Sequence, residues 1–131
     1  MKHVILALAA TAVAFAGATS AVPRDGRHPW RTVAYKTVNG RDTDNIPVRG
    51  TARYRQLKVC VYGAPINMRD VDVFFRNGRH QDIGTRSLMR AGSCTRNLDL
   101  RGHSRDVTRV RLKYARLRHG WSRPVVRVMV R

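Results

Sequence analysis

The sequence predicts an all-β fold, an antiparallel β-sandwich of about eight short strands that follows a cleaved signal peptide. Three observations predict it. Apolar and polar residues alternate over short segments, turn signals such as Asn-Gly separate these segments, and no stretch keeps the 3.6-residue apolar period of a helix. A parallel α/β fold needs helical crossovers between its strands, and a chain of 131 residues with this pattern has no room for them.

The first residues have the pattern of an export signal. Met1-Lys2-His3 is positively charged, the run from Val4 to Ala18 is uncharged, and Thr19-Ser20-Ala21 supplies the small residues of a cleavage site. The apolar run is too short and too rich in alanine to predict a membrane anchor, so we expect an exported protein, periplasmic or secreted, with no integral membrane segment in its mature part. The predicted organisation is a signal peptide over 1–21, a short lead-in over 22–29 and a single domain over 30–131.

Each predicted strand carries side chains two residues apart that we expect to point inward. In chain order these are Val33, Tyr35 and Thr37; Ile46 and Val48; Leu57, Val59 and Val61; Val71, Val73 and Phe75; Leu98 and Leu100; Val110, Leu112 and Tyr114; and Val126, Val128 and Val130. The aromatic residues Trp30, Tyr35, Phe75 and Tyr114 are expected inside the core. Trp121 and Tyr62 are the aromatic residues that we expect to be exposed for contact with a ligand.

The Asn77-Gly78 pair predicts a hairpin whose register can be derived. A two-residue loop would place Val73 opposite a charged residue, whereas a three-residue loop with Gly78 in the left-handed conformation sets Val71 opposite Ile83. Because the second register pairs two apolar residues, we predict a type I turn with a G1 bulge.

Cys60 and Cys94 are the only cysteines of the chain. In an exported protein an even pair is most simply a disulfide, and we predict that bond between them; two buried free thiols are the alternative.

The charge is strongly one-sided. There are 26 Lys and Arg residues against 8 acidic ones, all of them Asp, and 22 of the 26 are Arg. Loss of Lys2 with the signal peptide leaves 25 basic and 8 acidic side chains, or +17. Such a chain attracts polyanions in a salt-dependent way, although high charge also serves solubility alone. The expected partner is an anionic polymer: lipopolysaccharide, a wall polymer or nucleic acid.

A row of cations marks a candidate anion-binding site. Arg109, Arg111 and Lys113 share one side of a predicted strand, about 7 Å apart. Arg127 would extend the row if the last strand paired beside it. The alternative is a solvated outer face, on which arginine stems cover apolar neighbours.

No catalytic site, metal site or cofactor is predicted. None of the mature histidines, His28, His80, His103 and His119, has metal-ligand spacing to another. We expect Asp42 and Asp44 to stabilise a turn; an oxygen-ligated cation is the alternative. An alternative function is a secreted ribonuclease-like phosphodiesterase in which His80 and His103 serve as acid and base.

Several motifs resemble a family of small exported bacterial proteins that is catalogued as a domain of unknown function. They are Leu57-Lys58-Val59 with Gly63, the segment 71–78, Ile83, Arg90-Ala91-Gly92, the segment 98–102 and the segment 107–114. The resemblance extends from Trp30 to Arg131. It implies an antiparallel β-sandwich and supplies no catalytic residues.

The sequence thus predicts a non-catalytic module that binds anionic envelope or extracellular polymers through arginines. A purely structural envelope protein without a specific ligand is the remaining alternative.

Overall fold

The computed structural model describes residues 29–102 and 105–131 and shows two antiparallel β-sheets packed face to face. The predicted all-β sandwich is therefore confirmed. The predicted signal peptide over 1–21 and most of the predicted lead-in lie outside the described residues. No helix that could cross a bilayer occurs in the part of the chain that is described.

Ten strands form the two sheets, where about eight were expected, because two short segments add small strands at the sheet margins. The strands are β1 (Arg31–Thr37), β2 (Thr43–Pro47), β3 (Arg53–Tyr54), β4 (Gln56–Tyr62), β5 (Ile66–Phe75), β6 (His80–Ile83), β7 (Ser87–Met89), β8 (Leu98–Asp99), β9 (Arg105–Tyr114) and β10 (Val125–Val130). One sheet has the order β1-β10-β4-β8. The other has the order β2-β9-β5-β6, with β3 added to β9 and β7 added to β5.

Alternation along the strands builds the core between the sheets. Every second residue of β4 and β10 faces inward, and so does every second residue over most of β5 and β9, where β-branched and leucine side chains dominate. Val59, Val73, Val110 and Val128 are fully buried. Phe75 and Tyr114 are also buried, as predicted from their positions in the sequence.

Two aromatic residues predicted inside the core lie elsewhere. Tyr35 is 74% exposed, because a β-bulge between Thr32 and Ala34 inserts an extra residue into β1 and reverses the faces of the residues after it. Trp30 is only half-buried and lies against the cationic groups of Lys58 and Arg131. A bulge has no clear signature in an alternating sequence, so the inward prediction for Tyr35 was wrong.

The predicted hairpin at Asn77-Gly78 is confirmed in type and register. The Phe75 amide donates to the Arg79 carbonyl at 2.9 Å, and the Gly78 amide donates to the Phe75 carbonyl at 3.0 Å. Gly78 has a φ of 84°, and Val71 lies opposite Ile83. The pairing of two apolar side chains thus determined the register, as expected.

The predicted disulfide is present between Cys60 and Cys94. Cys60 is buried on the outer side of β4, while Cys94 lies in an exposed segment that runs along the same strand. The Val61 amide donates to the Ser93 carbonyl at 2.9 Å, and the Thr95 amide donates to the Val59 carbonyl at 2.8 Å. The bond therefore joins two segments that already pair through their backbones.

A buried polar network closes one end of the sandwich. The Tyr114 hydroxyl donates to the Asp44 carboxylate and accepts a hydrogen bond from the Gly40 amide at 3.0 Å. Asp44 also accepts from the Asn39 amide at 3.0 Å and forms an ion pair with Lys36 at 3.0 Å. Burial, together with the hydrogen bond to Asp44, raises the pKa of Tyr114. The network stabilises the turn after β1, which is the role predicted for Asp44.

Loss of the disulfide should destabilise the protein. On the chain-entropy model a loop of this length stabilises the fold by about 3–4 kcal/mol. We expect Cys60→Ala/Cys94→Ala to lower the urea midpoint accordingly, and unfolded wild-type protein to show no titratable thiol before reduction. Two thiols in the unreduced protein would contradict the assignment.

Tyr114→Phe should also destabilise the fold, because it removes one hydrogen bond to the buried Asp44 carboxylate and leaves the Gly40 amide without its hydroxyl partner. The expected loss in the free energy of unfolding is about 1–3 kcal/mol. Tyr35→Phe is the matched control, since Tyr35 is exposed and its hydroxyl bonds to no described residue. Equal urea midpoints for the two variants would show that the network does not stabilise this end.

Candidate functional site

The predicted row of cations on β9 exists, but acidic and aromatic groups surround it. Arg109, Arg111 and Lys113 alternate with the buried Val110 and Leu112 and therefore share the outer face of the six-stranded sheet. The neighbouring strand β5 carries partners for them in register.

Each cation of the row lies opposite a β5 residue that limits its access to a ligand. The guanidinium of Arg109 lies 3.9 Å from the ring centroid of Phe74. Arg111 forms an ion pair with the nearly buried Asp72 at 2.9 Å. Lys113 lies opposite Asp70. Among the described residues, the ion pair with Asp72 thus engages only Arg111 of the row, while Arg109 lies over a ring and Lys113 lies opposite a carboxylate.

Three carboxylates cluster beside this row. Oxygen atoms of Asp70, Asp72 and Asp82 all lie within 4.8 Å of one another. Burial raises the pKa of Asp70, and the nearby carboxylates of Asp82 and Asp72 raise it further. Carboxylate oxygens are the ligands that hard cations take, but Asp72 already has Arg111 as its counter-ion.

Arg127 does not extend the row. The prediction required the last strand to pair beside β9, and it does not. Strand β10 pairs with β1 and β4 in the four-stranded sheet, so Arg127 lies on the opposite outer surface of the sandwich. There its guanidinium lies 4.6 Å from the centroid of the Tyr62 ring. The predicted site residues therefore divide between two surfaces.

A groove at one end of the sandwich brings together cations that the sequence analysis did not assign to a site. Its volume is about 720 Å³, and it opens between the turn after β1 and the loop from β9 to β10. We call it the arginine groove; it is lined by Asn39, Gly40, Arg41, Arg116, Leu117, Arg118, His119, Gly120, Trp121 and Arg123. Four of these residues are arginines and none is acidic.

Hydrogen bonds to backbone carbonyls hold the two walls of the groove together. The Leu117 amide donates to the Gly40 carbonyl at 2.9 Å, and the guanidinium of Arg116 donates to the Arg41 carbonyl at 3.3 Å. Gly40 has a φ of 81°, and a side chain there would meet Leu117. The Tyr114 network lies directly behind this turn, so the groove has a rigid base.

The groove arginines are available to a ligand. None of the four forms an ion pair with a carboxylate of the described residues. Trp121 is 60% exposed, and the Arg118 guanidinium lies 5.5 Å from its ring centroid. The predicted exposure of Trp121 is confirmed, whereas Tyr62 is half-buried beneath Arg127. Only proximity in the fold could reveal that the turn at Arg41 and the loop at 116–123 meet.

The two histidines among the described residues, His80 and His119, lie at different places in the fold. His80 stacks on Phe74 with ring centroids 5.5 Å apart, on the outer face of the six-stranded sheet. His119 lines the arginine groove. His28 and His103 lie outside the described residues, so the proposed pairing of His80 with His103 stays a hypothesis.

Comparison with solved structures supports the fold. The structure of AlgX from Pseudomonas aeruginosa is similar, with a TM-score of 0.50 and 14% sequence identity. The match covers 82% of this chain but 27% of the AlgX chain, so this chain corresponds to about a quarter of that protein's length. At this identity the likeness shows a common fold. No curated protein sequence matches the chain significantly.

A family model covers almost the whole sequence. It matches residues 4–129 and is described as a domain of unknown function, DUF2541. This match agrees with the resemblance drawn from the motifs between Leu57 and Tyr114. The chain belongs to the DUF2541 family.

Proposed function

We propose that the mature chain is a non-catalytic module that binds an anionic polymer outside the cytoplasm, and that the arginine groove is its binding site. The observation that carries this proposal is the convergence of four arginines and an exposed tryptophan in one groove whose lining contains no acidic residue. The disulfide and the predicted signal peptide support a site of action in an oxidising compartment.

Guanidinium groups in this arrangement suit phosphate, carboxylate or sulfate groups. Each presents several N–H donors in a planar fork, which allows bidentate bonding to an anion. Because nearby arginines repel one another when no anion is present, a bound polyanion would also relieve unfavourable charge in the groove. Binding of this kind weakens as salt is added, since counterions released from the polymer drive it.

The β9 row is a weaker candidate for the same role. Arg111 would have to give up its ion pair with Asp72 before it could bind a ligand anion. That exchange leaves a nearly buried carboxylate without a counter-ion, which costs free energy. The groove arginines require no such exchange with a described residue.

Titration should locate the binding site. We expect oxidised mature protein to bind lipopolysaccharide, duplex DNA or an anionic polysaccharide, with at least one ligand retained at physiological salt. Arg116→Ala/Arg118→Ala should weaken that ligand by about tenfold or more, as expected for the loss of charge-assisted hydrogen bonds. The same variant should lower the slope of log affinity against log salt.

Two control variants separate the site from net charge. Arg79→Ala/Arg90→Ala removes two exposed arginines far along the chain from the groove and should change the affinity little. Arg109→Ala/Lys113→Ala tests the β9 row in the same assay. The contrary result is an equal fall in affinity in all three variants, with all ligands dissociating with the same dependence on salt. That result would indicate binding through net charge alone and would favour a structural envelope protein without a specific ligand.

A further inference from the structure

The outer face of the four-stranded sheet combines aromatic rings with cations. We call it the tyrosine–arginine face, and it comprises Trp30, Tyr35, Lys58, Tyr62, Arg127 and Arg131. The side chains from β4 and β10 alternate along each strand with buried valines that face the core, so they cover the solvent side of the sheet. None of them belongs to the arginine groove.

One row of the face crosses three strands. Tyr35 of β1 lies directly opposite Arg127 of β10, and the Arg127 guanidinium lies over the ring of Tyr62 on β4. Tyr35 is exposed on this row, and Arg127 beside it is exposed as well. The ring beneath Arg127 limits the rotation of the guanidinium, so less entropy is lost when it binds an anion.

A second group of cations lies further along the same strands. Lys58 and Arg131 lie 4.4 Å and 4.7 Å from the centroid of the Trp30 ring. Arg127 and Arg131 are four residues apart, which is about 13 Å along a strand. The face therefore presents cations at intervals along one direction rather than at a single point.

Carboxylates are nearly absent from this face among the described residues. The exception is Asp99 at the margin strand β8, which accepts a hydrogen bond from the Gln56 side chain at 2.6 Å. The three clustered carboxylates of the protein lie on the other sheet. The charge of the face is therefore complementary to an anion.

The face and the arginine groove adjoin along the chain. Strand β10 begins two residues after Arg123 of the groove, and Arg127 is its third residue. Strand β1 ends two residues before Asn39 of the groove, two residues after Tyr35. Both strands lead from the groove walls directly onto the face.

We infer that an extended acidic polysaccharide occupies the groove and continues along the tyrosine–arginine face. This inference rests on the proposed function of the groove. Exposed Tyr35 offers a ring face to a sugar ring, and Trp121, which is 60% exposed beside Arg118, offers part of its ring surface. The spaced cations bind successive acidic groups. Single-stranded nucleic acid fits less well, because it requires several free aromatic faces in succession and those of Tyr62 and Trp30 are already covered by cations.

The two-part contact predicts a dependence on chain length. A galacturonate tetramer can fill the groove alone, whereas polygalacturonate can contact the face as well, so the polymer should bind about a hundredfold more tightly or better. Tyr35→Ala/Arg127→Ala should abolish most of this gain and leave tetramer binding unchanged. Arg116→Ala/Arg118→Ala should weaken both ligands.

Control variants and ligands make each outcome decisive. Leu88→Ala/Arg90→Ala removes one exposed apolar side chain and one exposed cation elsewhere and should leave polymer binding unchanged. An unaltered polymer-to-tetramer ratio in Tyr35→Ala/Arg127→Ala would overturn this inference while the groove could still stand. Unaltered binding in Arg116→Ala/Arg118→Ala would contradict the proposed function. Tighter binding of single-stranded DNA of equal charge would overturn the choice of polysaccharide.

Discussion

The buried hydrogen bond between Tyr114 and Asp44 is the constraint on which the functional end of the molecule depends. Tyr114 ends β9 in one sheet, and through its hydroxyl it holds the turn that connects β1 of the other sheet to β2. The first wall of the arginine groove is that turn, and the second wall begins at Arg116, two residues after Tyr114. The buried Tyr114 hydroxyl thus helps to position the solvent-exposed arginines of the groove.

Acidic residues are placed so that charge is balanced on one surface and left unbalanced elsewhere. Asp70, Asp72 and Asp82 lie on the outer side of the six-stranded sheet, and the ion pair of Asp106 with Arg76 lies at its margin. No such cluster of carboxylates lines the end groove or the face of the other sheet among the described residues. Net charge alone could not have shown this separation, because it depends on which sheet each strand joins.

Much of the fold could be predicted from local pattern, but the site depended on long-range pairing. The hairpin at Asn77-Gly78 was derived correctly, since two apolar residues had to meet on one face. Arg127 was expected to extend the β9 row only if the last strand paired beside β9, and that condition is not met because β10 joins β1 and β4. The groove combines the turn at Arg41 with a loop 75 residues later, and no local signal connects them.

The segment beside Cys94 has a consequence for association between copies of the chain. Strand β8 pairs with β4 only at Gln56 and Leu57, and the backbone of 92–95 occupies the hydrogen-bonding groups of β4 further along. An uncovered strand edge is a template for pairing with another chain. The segment 92–95 therefore shields a sheet margin, and the disulfide tethers this segment covalently to the strand edge that it covers.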